Sequence, residues 1–301
     1  MKWSVNPVFH AHQIALPALK ALGFEWELRS RGEQKLGLLR RRLNKATHLE
    51  CPRRLVFMGG LGDTPLSWVR IFLGCGDLIR SKYDEIVLFD FPGFAGFLAR
   101  EPAYDSLEQM KAAVFDALDT LKPQTLMGHS LGGWLAASYD VYRRQRSTGN
   151  RHAYHGPEKL ILVCPAGVLL GEENEAYWKD VFHGAIEKGF ASFEGHIFHR
   201  PPIWFRFLKK SFAGFFKKPE IVKFLGSIER EHFLHDRDLK DLKADTTFIW
   251  GAQDSMIPSS WVHDWTALMS RPARIELMEG VGHSPQIESP LRTIGLIRQI
   301  L

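Results

Sequence analysis

The segment from Leu126 to Trp134 reads Leu-Met-Gly-His-Ser-Leu-Gly-Gly-Trp and carries the pattern G-x-S-x-G at Gly128, Ser130 and Gly132. A serine held at the tip of a sharp strand-to-helix turn has a strained backbone, and the residues two before and two after it crowd one another. Both must then be small, as Gly128 and Gly132 are, while Gly133 eases the packing of the next helix on the sheet. The flanks agree with such a turn. Thr125-Leu126-Met127, bounded by Lys122-Pro123-Gln124, is a short apolar run of the kind that forms a buried central strand. Leu131, Leu135, Ala136 and Tyr139 then fall at helical spacing, and Arg143, Arg144 and Arg146 suit a helix C-terminus. The rival reading is a glycine-rich turn around an inert serine.

The rest of the chain is expected to build a sheet around that strand. Phe24 to Ser30 and Lys35 to Leu43 form a hairpin across a short loop containing Gly32. Arg40, Arg41 and Arg42 are read as the solvated face and end of an edge strand rather than a nucleic-acid patch. From Arg54 onward, strands alternate with helices. The runs Leu55–Met58, Ile86–Phe89, Leu160–Val163, Phe248–Trp250 and Arg274–Met278 are strands. Helices are placed around Leu107–Leu118, Trp261–Met269 and Leu291–Leu301. This alternation predicts an α/β fold with a mostly parallel, doubly wound sheet. Residues 1–21 form a short helical arm. Residues 1–167 and 237–301 make the core, and 168–236, where the alternation lapses, make an inserted helical cap.

Bulk properties narrow the setting. Three cysteines spread over 301 residues, Cys51, Cys75 and Cys164, form neither a disulfide framework nor C-x-x-C metal spacing. The first twenty residues are too polar and interrupted for a signal core or a spanning helix. A cytoplasmic protein is expected, with peripheral membrane contact left open. The net charge of +5 is mild, and no nucleic-acid motif accompanies it.

Ligands of open parallel sheets bind beyond the carboxyl ends of the strands, and the chemically able residues sit there. A serine hydroxyl needs a base, and the base needs a carboxylate to fix its tautomer. Asp254 follows the strand Phe248–Trp250, and His283 follows the strand Arg274–Met278 behind Gly280 and Gly282, which let the backbone turn the imidazole inward. Cys164-Pro165-Ala166, after the strand ending at Val163, offers no rival acid. Asp264 falls inside a helix, and Asp90, beside Pro92 and Gly93, shapes a turn. Donors for an oxyanion are expected from the N–H of Leu131 and, in the loop Gly59-Gly60-Leu61-Gly62-Asp63, the N–H of Leu61. That loop lacks the lysine and spacing of a phosphate-binding motif.

The segments Gly128–Gly133, Leu162–Gly167, Ile249–Asp254 and Gly282–Pro285, with Glu288 and Pro290, resemble the α/β-hydrolase superfamily, most closely its monoacylglycerol-lipase and esterase-type serine hydrolases. The resemblance runs from about Phe24 to the end. It implies Ser130 as nucleophile, Asp254 as acid and His283 as base, with a helical cap after the sixth strand. Where many relatives carry His-Gly after the first central strand, this chain has Gly59-Gly60.

The insertion is unusual in composition. From His196 to Lys223 it has seven Lys or Arg, one acidic residue and seven Phe or Trp. Trp204, Phe205, Phe207, Leu208, Phe212, Phe215 and Phe216 interleave with Arg206, Lys209, Lys210, Lys217 and Lys218. Three readings stand: a cap with aromatics inside and cations in water, a lid that touches an anionic lipid surface, or a single-strand nucleic-acid surface. The expected function is cofactor-free, metal-free hydrolysis of a small-molecule carboxylic ester, acyl or monoacylglycerol-like, through an acyl-enzyme. The alternatives are carbon–carbon bond hydrolysis on the same triad and a non-catalytic hydrolase-like binding protein.

Overall fold

A computed structural model describes residues 15–32, 34–44, 51–92, 104–146, 156–168, 171–188, 190–207 and 218–301. Eight strands form one sheet: β1 (Glu25–Arg31), β2 (Gln34–Arg42), β3 (Arg54–Met58), β4 (Glu85–Asp90), β5 (Thr125–His129), β6 (Lys159–Val163), β7 (Asp245–Gly251) and β8 (Arg274–Met278). Their spatial order is β1-β2-β4-β3-β5-β6-β7-β8. β1 and β2 are antiparallel, β2 runs antiparallel to β4, and every later pairing is parallel.

The central strands carry continuous apolar runs because helices cover both faces. Leu55–Met58, Leu160–Val163 and Phe248–Trp250 are all buried, and Trp68, Trp134, Trp250 and Trp265 lie in the interior. After β3 the chain goes to β4 on one side, then crosses back to β5 on the other. That reversal opens a crevice at the carboxyl ends of β3 and β5, where such sheets hold their ligands.

One expectation is corrected. β2 is not an edge strand, because it lies between β1 and β4 and only β1 is outermost on that side. Arg40 is paired rather than solvated, while Arg42 at the strand end is exposed. Arg40 bonds Glu27 at 2.6 Å and Glu85 at 2.7 Å, and Arg54 holds the other Glu85 oxygen at 2.7 Å. The Arg41 guanidinium lies 5.5 Å from the Phe24 ring centre. Positive charge inside a sheet is tolerated here because the strands on both sides supply carboxylates.

Between β6 and β7 the chain is helical: Glu172–Glu187, Phe190–Ile197, Pro219–Gly226 and Asp236–Asp241, with 3-10 turns at Ile203–Phe207 and Arg230–His232. Its two ends are joined where the Leu234 N–H donates to Gly167 O at 2.7 Å, next to a Val168–Leu234 bridge. Of the basic-aromatic stretch, Phe205 is buried, while Ile203 and Trp204 are exposed. Leu208, Lys209, Lys210, Phe212, Phe215, Phe216 and Lys217 lie outside the described residues, as do residues 1–14 of the N-terminal arm. Among the described residues, no helix is long and apolar enough to cross a membrane.

Candidate active site

Ser130 stands between β5 and the helix Leu131–Arg146 with φ 53°, a left-handed conformation that costs a non-glycine residue on the order of 1–3 kcal/mol. The turn is held by its backbone. Ser130 N donates to Val163 O at 3.0 Å, and Ser130 O accepts from Gly133, Trp134 and Ala166. The glycines around it are sterically required. A Cβ at Gly128 would sit 2.2 Å from Gly132 O, and one at Gly132 would sit 2.1 Å from Met58 O. Because both obstacles are backbone, Gly132→Ala is expected to destabilise the fold by about 3 kcal/mol, as overpacking of a rigid core does. A thermal melt reads this as a lowered Tm, and an unchanged Tm would mean that β3 yields.

Asp254 and His283 come together from the ends of β7 and β8. Asp254 Oδ2 accepts from His283 Nδ1 at 2.8 Å, and both side chains are buried. Asp254 Oδ1 accepts from the N–H groups of Met256 and Ile257, each at 2.9 Å. Every lone-pair direction that matters is thereby assigned, which fixes the imidazole ring. His283 Nε2 is buried and makes no hydrogen bond. It and Ser130 face one cavity of about 90 Å³, and no hydrogen bond joins them. Such bonds commonly close only when substrate is bound.

The loop after β3 forms another wall. A Cβ at Gly60 would lie 2.9 Å from Ser130 Cβ and 3.2 Å from His129 Nδ1, so only glycine lets the backbone come this near the serine. Leu61 lines the cavity, and Leu131 is buried as the first residue of the serine helix. The N–H groups of Leu61 and Leu131 donate to no backbone carbonyl among the described residues. Phe182, Phe193, Ile197, Phe198, Phe205 and Met256 form an apolar part of the wall, with Ser284 and Gln286 also lining it.

The other carboxylates singled out in the sequence lie elsewhere. Asp264 sits on the helix Val262–Leu268 and accepts from Asn174 Nδ2 at 2.9 Å, while Asp90 is buried at the end of β4 and does not line the cavity. Cys164 does approach. Its sulfur, an Asp254 oxygen and a His283 nitrogen lie within 4.8 Å of one another. Burial, with the Asp254 charge adding to it, pushes the thiol well above its ordinary range, so the sulfur stays protonated. A cation bound by these three groups would have to break the Asp254–His283 bond.

Several residues have structural roles that the sequence does not reveal. Glu288 Oε1 accepts from Gly282 N at 2.9 Å, and its Oε2 accepts from His199 N at 3.0 Å and Arg200 N at 2.9 Å. His283 N donates to Ile197 O at 2.9 Å. Ser255 O accepts from His196 Nδ1 at 2.8 Å and from the Tyr177 hydroxyl. The helical insertion is thus bonded to the loops of both Asp254 and His283. Asp63 and the buried His129 lie side by side in the same cavity wall.

Comparisons with known proteins agree with this architecture. A protein of Mycoplasma pneumoniae provisionally named esterase/lipase 2 is 24% identical over 245 residues, spanning 78% of this chain and 84% of that protein. Human monoacylglycerol lipase ABHD6 is 25% identical over 249 residues, spanning 72% of this chain and 67% of the human one. A crystal structure of a protein provisionally called a lipase, from Acinetobacter baumannii, superposes with a TM-score of 0.69 at 18% identity, over 96% of this chain and 93% of that one. Residues 55–295 match the alpha/beta hydrolase family, and the chain belongs to it.

Proposed function

We propose that this chain hydrolyses carboxylic esters, with Ser130 as nucleophile, His283 as base and Asp254 as the acid that orients it. The observation that carries the reading is the clamp on His283: Nδ1 is taken by Asp254 at 2.8 Å, and Nε2 is left buried and unbonded in the cavity that Ser130 faces. The similarity to proteins named esterase/lipase and monoacylglycerol lipase supports ester chemistry.

In this scheme the Ser130 proton passes to His283 Nε2 as Oγ adds to the ester carbonyl. The N–H groups of Leu61 and Leu131 receive the developing oxyanion. Collapse breaks the bond to the leaving oxygen, which takes the proton from His283, and the acyl group remains on Ser130. Water, losing a proton to His283, then attacks the acyl-enzyme. Carboxylic acid leaves and the serine recovers its proton. The helical insertion serves as a cap that supplies Phe182, Phe193 and Phe198 to the acyl wall.

The shape of the cavity supports a small, uncharged acyl group. Among the described residues, no lysine or arginine lines it. The cavity is small, about 90 Å³. Across p-nitrophenyl esters of increasing chain length, kcat/KM is expected to be highest from acetate to butyrate and to fall by about tenfold or more at laurate, since a crowded pocket cannot take the added methylenes without strain. A profile that rises toward laurate would show that the acyl group lies elsewhere.

A further inference from the structure

The imidazole of His129, the residue immediately before the serine, is buried and plays no part in the scheme above. Its Nε2 lies 2.8 Å from the carbonyl oxygen of His283. A carbonyl can only accept, so this nitrogen carries a hydrogen and donates. On its other side, Nδ1 lies 3.4 Å from Asp63 Oδ2, a close contact without a hydrogen bond. The ring is wedged between Trp68, with centroids 5.6 Å apart, and His283 itself, at 5.0 Å.

Asp63 is anchored as firmly. Its Oδ1 accepts from Thr64 N at 2.7 Å and Ser67 Oγ at 2.5 Å, and its Oδ2 accepts from Trp68 Nε1 at 2.8 Å. Burial alone would push its carboxyl upward. The contact with His129 and the donors Ser67 and Trp68 outweigh that and hold it below the ordinary range. A buried carboxylate with this many partners is fixed in space, and it belongs to the loop that carries Gly60 and Leu61.

A chain of contacts thus runs from the loop after β3, through Asp63 and the Trp68 indole bonded to it, across the His129 ring, to the main chain of His283. We infer that Asp63 and His129 form a strut that sets the separation between the oxyanion-binding loop and the general base, which makes both of them positioning residues. The strut passes directly behind the nucleophile, because a Cβ at Gly60 would meet Ser130 Cβ at 2.9 Å and His129 Nδ1 at 3.2 Å. Base and oxyanion donors must reach one carbonyl at the same time, and an error of about 1 Å in that geometry costs on the order of a hundredfold in rate. The inference rests on the proposed roles of Ser130, His283 and Leu61.

Two substitutions separate positioning from simple packing. In His129→Gln the side-chain amide can still donate to the His283 carbonyl, whereas in His129→Leu the volume stays but the donor is gone. With p-nitrophenyl acetate, His129→Leu is expected to lower kcat by about thirty- to a hundredfold with KM within about threefold of wild type, and His129→Gln to recover to within about fivefold. A His129→Leu enzyme within about twofold of wild type overturns the strut, as does a Gln variant as impaired as the Leu one. If His129→Leu does not fold, Asp63→Asn gives the same readout: a kcat about tenfold down at unchanged KM supports the strut, and a wild-type kcat overturns it. Ser130→Ala assayed alongside keeps the two readings apart. Wild-type rates in the His129 variants with Ser130→Ala inactive defeat the strut alone, while activity in Ser130→Ala defeats the triad beneath it.

Discussion

Ser130→Ala is expected to lower kcat for p-nitrophenyl acetate by about a millionfold, to the level that binding and the oxyanion donors can sustain without a nucleophile. The fold should survive. The Ser130 side chain makes no hydrogen bond in the described structure, and alanine can adopt the same φ of 53° about as readily as serine. The turn is held by Val163 O, Gly133 N, Trp134 N and Ala166 N, none of which depends on the side chain. The melting temperature of the variant should therefore stay within a few degrees of wild type. Labelling by a fluorophosphonate probe completes the measurement: wild type reacts at this residue and the variant does not. Turnover that persists in the variant would move the nucleophile elsewhere. A wild-type protein that resists the probe would return the chain to the class of hydrolase-like binding proteins.

Asp254→Asn is expected to lower kcat by about ten-thousandfold, the loss that follows when the orienting acid of such a triad presents the wrong tautomer. The geometry explains why this isosteric change cannot be absorbed. One oxygen of Asp254 receives two backbone N–H groups, from Met256 and Ile257, so the amide oxygen of asparagine must occupy that place. The NH2 group then faces His283 Nδ1 at the position from which a carboxylate oxygen now accepts. Nδ1 would be forced to accept, the ring hydrogen would move to Nε2, and the atom meant to take the serine proton would already hold one. Because packing is unchanged, Tm should move little while kcat collapses. Near-wild-type kcat would remove Asp254 from the acid role.

The fold was legible wherever a local pattern carried its own physics. β3, β5, β6 and β7 are apolar runs because both faces are covered, and Arg274–Met278 was read with the observed bounds for β8 because turn residues frame it. The helix Leu107–Leu121 followed from its apolar spacing. The helices Pro65–Gly74 and Gly76–Lys82 were not assigned, although Thr64 caps the first by accepting from Leu66 N and Pro65 opens it. The status of β2 was misread because alternation marks a strand but says nothing of its neighbours. The partners that bury Arg40, Glu27 and Glu85, come from two other strands.

The same division holds in the site. Ser130, Asp254 and His283 each sit just past a strand, so topology alone brings them to one rim. His129 and Glu288 meet partners far away in the chain, and the contact of Asp63 with His129 spans the same kind of distance. Glu288, for instance, answers the N–H of His199, 89 residues away in the chain. A glutamate in a short helix and a histidine beside a serine look ordinary until folding brings their partners to them.

The bonds from the helical insertion to the two loops, Ile197 O to the His283 amide and Glu288 to His199, Arg200 and Gly282, have a kinetic consequence under the proposed roles. A roof pinned to the moving parts beneath it cannot swing wide without unsettling them. Displacing the insertion would break these bonds, and under the proposed roles the base would then lose part of what fixes its position.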